Sequence, residues 1–261
     1  MRDEIDPIQP PPDPTPPRLP GRVVLRPEPE DVYTSLMADM CAHAVGCVRA
    51  FGDFHLALSG GSTPLPLYRQ LMTDPMARGF PWARTHLWIV DERRVPFEDE
   101  RSNFGQIRDL LVEHSGIPAE QVHPIRATEP DADLAYEREL RETLAWREKG
   151  HDRLDFVLLG MGADAHTASL FPRSPALDAG PDRLVVFNAG PRVTPPDRVT
   201  MTYRLLNASR FIAVLAVGAS KRDTLARVAA RSAPAADLPI LGIEPLGGEL
   251  RWYLDFAACA P

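Results

Sequence analysis

The stretch Leu154–Pro172, Leu-Asp-Phe-Val-Leu-Leu-Gly-Met-Gly-Ala-Asp-Ala-His-Thr-Ala-Ser-Leu-Phe-Pro, decides how the rest of the chain is read. Leu154–Leu159 has the length and composition of a fully buried strand, and Gly160 and Gly162 let the backbone turn tightly at its carboxyl end. In open α/β sheets that end is where ligands bind. Asp164 and His166 stand two residues apart, so an extended or turning backbone can direct both side chains to one side, with the carboxylate orienting an imidazole that acts as a base. The competing reading is a strand-to-helix turn in which Asp164 caps a helix and His166 is an ordinary satisfied polar residue.

The same grammar of strand, glycine or charged turn, and helix recurs on either side. Phe54–Leu58 reads as a strand running into Ser59-Gly60-Gly61-Ser62-Thr63-Pro64 and then a helical pattern, Leu65–Met72. Here Thr63 suits a helix cap and Pro64 its first turn, leaving outward-facing amides as an anion site. Thr85–Val90 reads as a third strand, followed by Asp91-Glu92-Arg93-Arg94-Val95-Pro96, Ser102-Asn103 and a helix from Phe104 to His114. Such a charge cluster is either a solvated run or a binding edge, in which Arg93 or Arg94 offers an anion a planar fork of donors. Arg22–Arg26, Leu184–Phe187, Phe211–Val217 and Leu250–Phe256 complete the strands, and Pro29–Ala50 and Asp133–Lys149, stopped by Gly150, read as helices. Gly218-Ala219-Ser220-Lys221 leads into another helix, with Lys221 either an anion contact or a surface residue of the first turn. Pro191–Pro196 forms a proline-marked loop able to cover a site. The repetition predicts a doubly wound α/β sheet.

Composition narrows the field further. The 261 residues are 44% hydrophobic and 25% charged, as in an ordinary globular protein able to bury a large core. A formal net charge of −7 argues against a nucleic-acid surface, so an anionic ligand needs a local cluster of donors. Cys41, Cys47 and Cys259 are too few and too poorly spaced for a disulfide framework or zinc site, which places the chain in a reducing compartment, the cytoplasm by default. The amino terminus is acidic and proline-rich, which reads as neither a signal peptide nor a membrane span. Met1–Pro20 holds eight prolines and reads as a disordered or polyproline-like extension, with residues 21–261 as one α/β domain. No sequence feature sets the oligomeric state, and a monomer is favoured.

The Leu154–Pro172 stretch closely resembles the Gly-x-Asp-Gly-His-Thr-Ala-Ser-Leu-Phe-Pro signature of 6-phosphogluconolactonases, departing at Ala165, where that family has glycine. If the position requires a positive φ, even alanine is costly there. Ser59–Pro64 resembles the phosphate loop that these enzymes share with glucosamine-6-phosphate deaminases; Asp91–Pro96 with Ser102-Asn103, Arg198-Val199-Thr200-Met201-Thr202 and the Gly218–Lys221 element resemble further family motifs. The resemblance spans about Arg22 to Phe256. It implies a three-layer, mostly parallel, Rossmann-like domain with a small lid-like portion, and hydrolysis of 6-phosphoglucono-δ-lactone. His166 would be the general base acting on water and Asp164 its support. Phosphate would rest on Ser59, Gly60, Gly61, Ser62 and Thr63 with Arg93, Arg198 and Lys221, while Asp91 and Glu92 would receive sugar hydroxyls. No cofactor, metal, nucleic acid or membrane partner is implied.

Three alternatives stand beside this reading. A deaminase would share the fold and the Asp-x-His turn, but resembles Asp-Glu-Tyr where this chain has Asp91-Glu92-Arg93, and carries a glutamate where it has Phe171. A sugar-phosphate sensor would need a DNA-reading module. A metal site at Asp164 and His166 lacks a third ligand nearby.

Overall fold

The computed structural model describes residues 13–150, 152–190 and 193–259. Among the described residues ten strands are present: β1 (Arg22–Arg26), β2 (Phe54–Leu58), β3 (Thr85–Ile89), β4 (Asp91–Arg93), β5 (Val122–His123), β6 (Phe156–Gly160), β7 (Val185–Ala189), β8 (Asp197–Met201), β9 (Phe211–Ala216) and β10 (Glu249–Asp255). Seven form one parallel sheet in the order β1-β10-β9-β6-β2-β3-β5. Every residue of β2 and β9 is buried, which is why these segments read as unbroken apolar runs rather than alternating ones. From β2 the chain steps outward through β3 and β5, and from β6 it steps the other way through β9 and β10. Right-handed crossovers in opposite directions place the helices on opposite faces of the sheet. The direction reverses between the adjacent strands β2 and β6, so the crevice at their carboxyl ends is the binding position the topology provides.

β4, β8 and β7 form a separate antiparallel sheet, so the lid-like portion is a three-stranded layer. Eight helices accompany the described strands: α1 (Pro29–Phe51), α2 (Leu65–Thr73), α3 (Asn103–Ile107), α4 (Glu113–Ser115), α5 (Ala132–Leu144), α6 (Tyr203–Ala208), α7 (Arg222–Ala229) and α8 (Phe256–Cys259). A π-helical stretch over Arg108–Val112 joins α3 to α4, so the element expected from Phe104 to His114 is continuous but wider in its middle. Two local expectations need correction. α5 stops at Leu144 instead of reaching Lys149, and beyond it Arg147 turns inward to two aspartates. Thr63 does not cap α2: Pro64 occupies that position without a side-chain hydrogen bond, and Pro66 lies in the first turn.

The tail expected over Met1–Pro20 ends earlier than that: residues 1–12 lie outside the described residues and residues 13–18 form no helix or strand, but Leu19 packs against the core and the Pro20 carbonyl accepts from the Trp252 indole N–H at 2.8 Å. Among the described residues no helix is long and apolar enough to cross a membrane.

Candidate active site

The loops after β2 and β6 meet at the switch point and, with β4, β8 and the start of α7, enclose a cavity of about 460 Å³. Ser59, Gly60, Gly61, Ser62, Thr63, Asp91, Arg93, His166, Arg198 and Lys221 all line it. The two principal loops are tied together: the Ser59 hydroxyl donates to the Leu158 carbonyl at 2.8 Å, and the Tyr68 hydroxyl donates to the Ser59 carbonyl at 2.5 Å. Gly61 takes φ +90°, a conformation that explains the glycine.

Asp164 does not line the cavity. It stands behind His166, its Oδ1 accepting from the imidazole Nδ1 at 2.5 Å and from the His166 amide at 3.1 Å. Burial pushes the Asp164 carboxyl up, but the hydrogen bonds and charge of His166 outweigh that, and its pKa lies below the usual carboxylate value. An ionised acceptor at Nδ1 assigns the neutral imidazole's proton to that nitrogen and leaves Nε2 as its basic atom. No helix follows Asp164, so it is not a helix cap. The turn is closed by Ala165 N–H to the Gly162 carbonyl at 3.0 Å and Gly162 N–H to the His166 carbonyl at 2.9 Å. Ala165 is fully buried at φ +65°, the conformation for which glycine is the unstrained choice.

The basic residues divide in position. Arg93 and Arg198 are direct partners across the β4–β8 ladder. Neither meets a carboxylate at salt-bridge distance among the described residues. Arg93 donates to the Asn103 amide oxygen and the Arg101 carbonyl, and Arg198 to the carbonyls of Pro195 and Asp197. Burial holds the Arg198 pKa below its ordinary value. Two adjacent guanidiniums satisfied only by neutral acceptors form a cationic corner suited to an anion. Lys221 lies on the β6 side, its Nζ donating to the Met161 carbonyl at 2.6 Å, and burial lowers its pKa although Asp164 opposes the shift.

Glu92 is the predicted site residue that the structure moves elsewhere. Fully buried and outside the cavity, it accepts from the backbone N–H groups of Arg93, Asn103 and Phe104 and from the Ser102 hydroxyl. Burial raises its pKa despite these four donors. It pins the start of α3, which presents Asn103 to the cavity. A Cβ at Gly60 would lie 1.9 Å from the Asn103 amide oxygen, so the glycine loop and this side chain can be neighbours only because residue 60 has none. Asn103 belonged to a noted motif without an assigned task. Ser169 and Phe171 also line the cavity: the Ser169 hydroxyl donates to Asp91 Oδ2 at 2.6 Å, and the Phe171 ring lies 4.9 Å from the His166 ring. Residues 191 and 192 of the proline-marked loop lie outside the described residues, while Val193 and Thr194 line the cavity.

Among the described residues, Asp53, His55 and His86 bring potential metal-ligating atoms together, at the opposite end of the strands. The Trp88 indole N–H donates to His55 Nδ1 at 3.0 Å, which puts the proton of neutral His55 on Nε2, and the His55 and His86 rings stack at 15°. His86 Nδ1 lies 3.0 Å from His123 Nε2, so that nitrogen is engaged within the stack.

Fold and cavity together define a doubly wound α/β protein with a histidine–aspartate pair and an arginine corner at its topological switch point. The family model for glucosamine-6-phosphate isomerases/6-phosphogluconolactonase matches residues 27–252, and the chain belongs to this family. It is 42% identical over 238 residues to the human GDH/6PGL endoplasmic bifunctional protein, covering 88% of this chain but 29% of that one. The chain thus spans under a third of that relative's length. It is 37% identical over 206 residues to the 6-phosphogluconolactonase of Haemophilus influenzae, covering 78% of this chain and 85% of the relative. The crystal structure of 6-phosphogluconolactonase from Thermotoga maritima superposes with a TM-score of 0.76 at 29% identity, covering 90% of this chain and 99% of that one.

Proposed function

We propose that the protein hydrolyses 6-phospho-D-glucono-1,5-lactone to 6-phospho-D-gluconate, the lactone-opening step of the oxidative pentose phosphate pathway. The observation that carries this reading is the Asp164–His166 pair beside a cavity that also holds two guanidiniums with no carboxylate at salt-bridge distance among the described residues. His166 Nε2 takes a proton from water as the oxygen attacks the lactone carbonyl. The resulting imidazolium returns that proton to the ring oxygen as the acyl–oxygen bond breaks, while Asp164 holds the ring and stabilises its charge. The phosphate sits on the amides of the Ser59–Thr63 loop with Arg93, Arg198 and Lys221, and Asp91 receives a sugar hydroxyl. The three free cysteines suit a reducing compartment, which makes the cytoplasm the location that fits this reading.

Glucosamine-6-phosphate deamination is disfavoured by Phe171, an apolar ring lying against the imidazole where the deaminases carry a second carboxylate. The test is a direct comparison of freshly generated 6-phosphoglucono-δ-lactone with glucosamine 6-phosphate. Lactone opening above the spontaneous rate without ammonia release is expected, and ammonia release without lactonase activity would reverse the assignment.

A further inference from the structure

Gly162, which lines the cavity, and Gly190, just after β7, lack the left-handed backbone that would call for glycine. Neither Gly162 nor Gly190 has a positive φ, so an L side chain is conformationally allowed at both. The space around them forbids it. A Cβ on Gly162 would lie 2.2 Å from both Nδ1 and Cε1 of His166 and 2.9 Å from Asp164 Oδ1. A Cβ on Gly190, at the end of β7, would lie 2.5 Å from Val193 Cγ2 and 2.6 Å from Phe171 Cε2. Phe171, 4% exposed, is tilted 55° against the imidazole with ring centroids 4.9 Å apart.

We propose that Gly162 and Gly190 are positioning residues for the His166 imidazole and act by having no side chain. Gly162 leaves the slot in which the imidazole edge lies, within reach of Asp164. Gly190 leaves the slot that receives the Phe171 ring, and that ring packs against the imidazole. The ring is thus held in one rotamer by a carboxylate, a bare Cα and a phenyl group. The second slot lies at the end of β7, so the antiparallel layer and the strand-end loop of the parallel sheet jointly set the direction of Nε2. This rests on the reading of His166 as general base.

The test takes Gly162→Ala, Gly190→Ala, Phe171→Leu, Gly190→Ala/Phe171→Leu and His166→Ala through lactone kinetics at several pH values, with thermal melting and the ¹⁵N shifts of the His166 ring. Gly162→Ala should lower kcat about a hundredfold, the scale of a misplacement near 1 Å, with KM within threefold because the arginine corner is untouched. The pH–rate profile and the Nδ1 shift should move, since the ring leaves Asp164; a merely structural role would lower the melting temperature and move neither. Gly190→Ala and Phe171→Leu should each lower kcat about tenfold, and the double variant should be little worse than either, because both act through the same contact between the Phe171 ring and the imidazole. Gly162→Ala with kcat within twofold of the parent overturns the proposal. Should that variant fail to fold, losses in Gly190→Ala and Phe171→Leu that multiply in full in the double variant overturn it instead. An active His166→Ala protein refutes the general-base reading, whereas inactive His166→Ala beside fully active Gly162→Ala refutes only the positioning role.

Discussion

Arg147→Met removes the charge at the centre of a clasp below the amino ends of β2, β6 and β9 while keeping most of the side-chain stem. The Arg147 guanidinium donates to Asp53 Oδ1 at 2.8 and 2.5 Å and to the two oxygens of Asp155 at 2.9 and 2.6 Å. Its side chain is 4% exposed and that of Asp155 0%. Breaking a buried ion pair by deleting one partner costs about 3–5 kcal/mol, because the other charge is left uncompensated. Asp155 would keep Arg210 at 2.9 Å and the His55 amide at 2.8 Å, which places this case near the lower end. About 3 kcal/mol in a chain this size lowers Tm by roughly 6–12 °C. The pH dependence has a definite sign. Burial pushes the Asp53 carboxyl up, but hydrogen bonds from His55 and Arg147 bring it down to about 2. That depressed pKa contributes stability above the unfolded-state value and loses it as pH falls towards 2. The deficit of Arg147→Met should therefore be largest near neutrality and narrow below about pH 4. Urea titration and thermal melting measure it, and Arg147→Met/Asp155→Asn should be less destabilised than the sum of the single variants. Turnover should be unchanged, since the cavity lies at the other end of the strands. A Tm loss under about 2 °C, well below the range expected for this charge deletion, or a folded variant with impaired turnover, would refute the reasoning.

Arg198→Ala and Lys221→Ala should each raise KM roughly 10- to 150-fold, the equivalent of a charge-assisted contact of about 1.5–3 kcal/mol, and narrow the preference for phosphorylated lactones; a variant that keeps the preference has lost a bystander. Burial, reinforced by His55 and His123, lowers the His86 pKa to about 4, so His86 is neutral in the fold where the unfolded chain is charged, and its contribution is lost as pH falls from about 6.5 to 4. His86→Phe keeps a ring in the stack, and its stability should vary less between about pH 6.5 and 4.5 in denaturant titrations. Ala165→Gly relieves a left-handed alanine costing roughly 1–2 kcal/mol, but loses a buried methyl worth about 0.8 and frees the unfolded chain by about 0.4–1, so stability should move by no more than about 1 kcal/mol. Ala165→Val should cost more than about 2 kcal/mol at the same φ, and calorimetry showing it neutral would discount the strain. Deleting residues 1–18 should leave Tm unchanged, whereas extending the deletion through Pro20 should lower it, because the buried Trp252 indole loses its acceptor.

What the sequence disclosed and what it withheld follow from the range of the interactions. All the parallel strands but the two-residue β5 were legible, the central ones because burial on both faces writes itself locally as runs such as Phe-Val-Leu-Leu, and the Asp164–His166 contact was legible because its partners are two residues apart. The β4-β8-β7 layer was not, since β4 is three polar residues whose partners lie more than a hundred positions away. That omission also hid the division of labour inside Asp91-Glu92-Arg93-Arg94. Successive side chains of a strand face opposite sides, so a strand here can deliver only alternate members of the run to one cavity. Asp91 and Arg93 line it. Glu92 faces the amides at the start of α3, and the Arg94 guanidinium lies 5.5 Å over the Phe187 ring. Composition could not choose Arg93 over Arg94, or Asp91 over Glu92. Period two chooses both at once, and it applies only after a pairing with Arg198 and Thr200, distant in sequence, has made those three residues a strand.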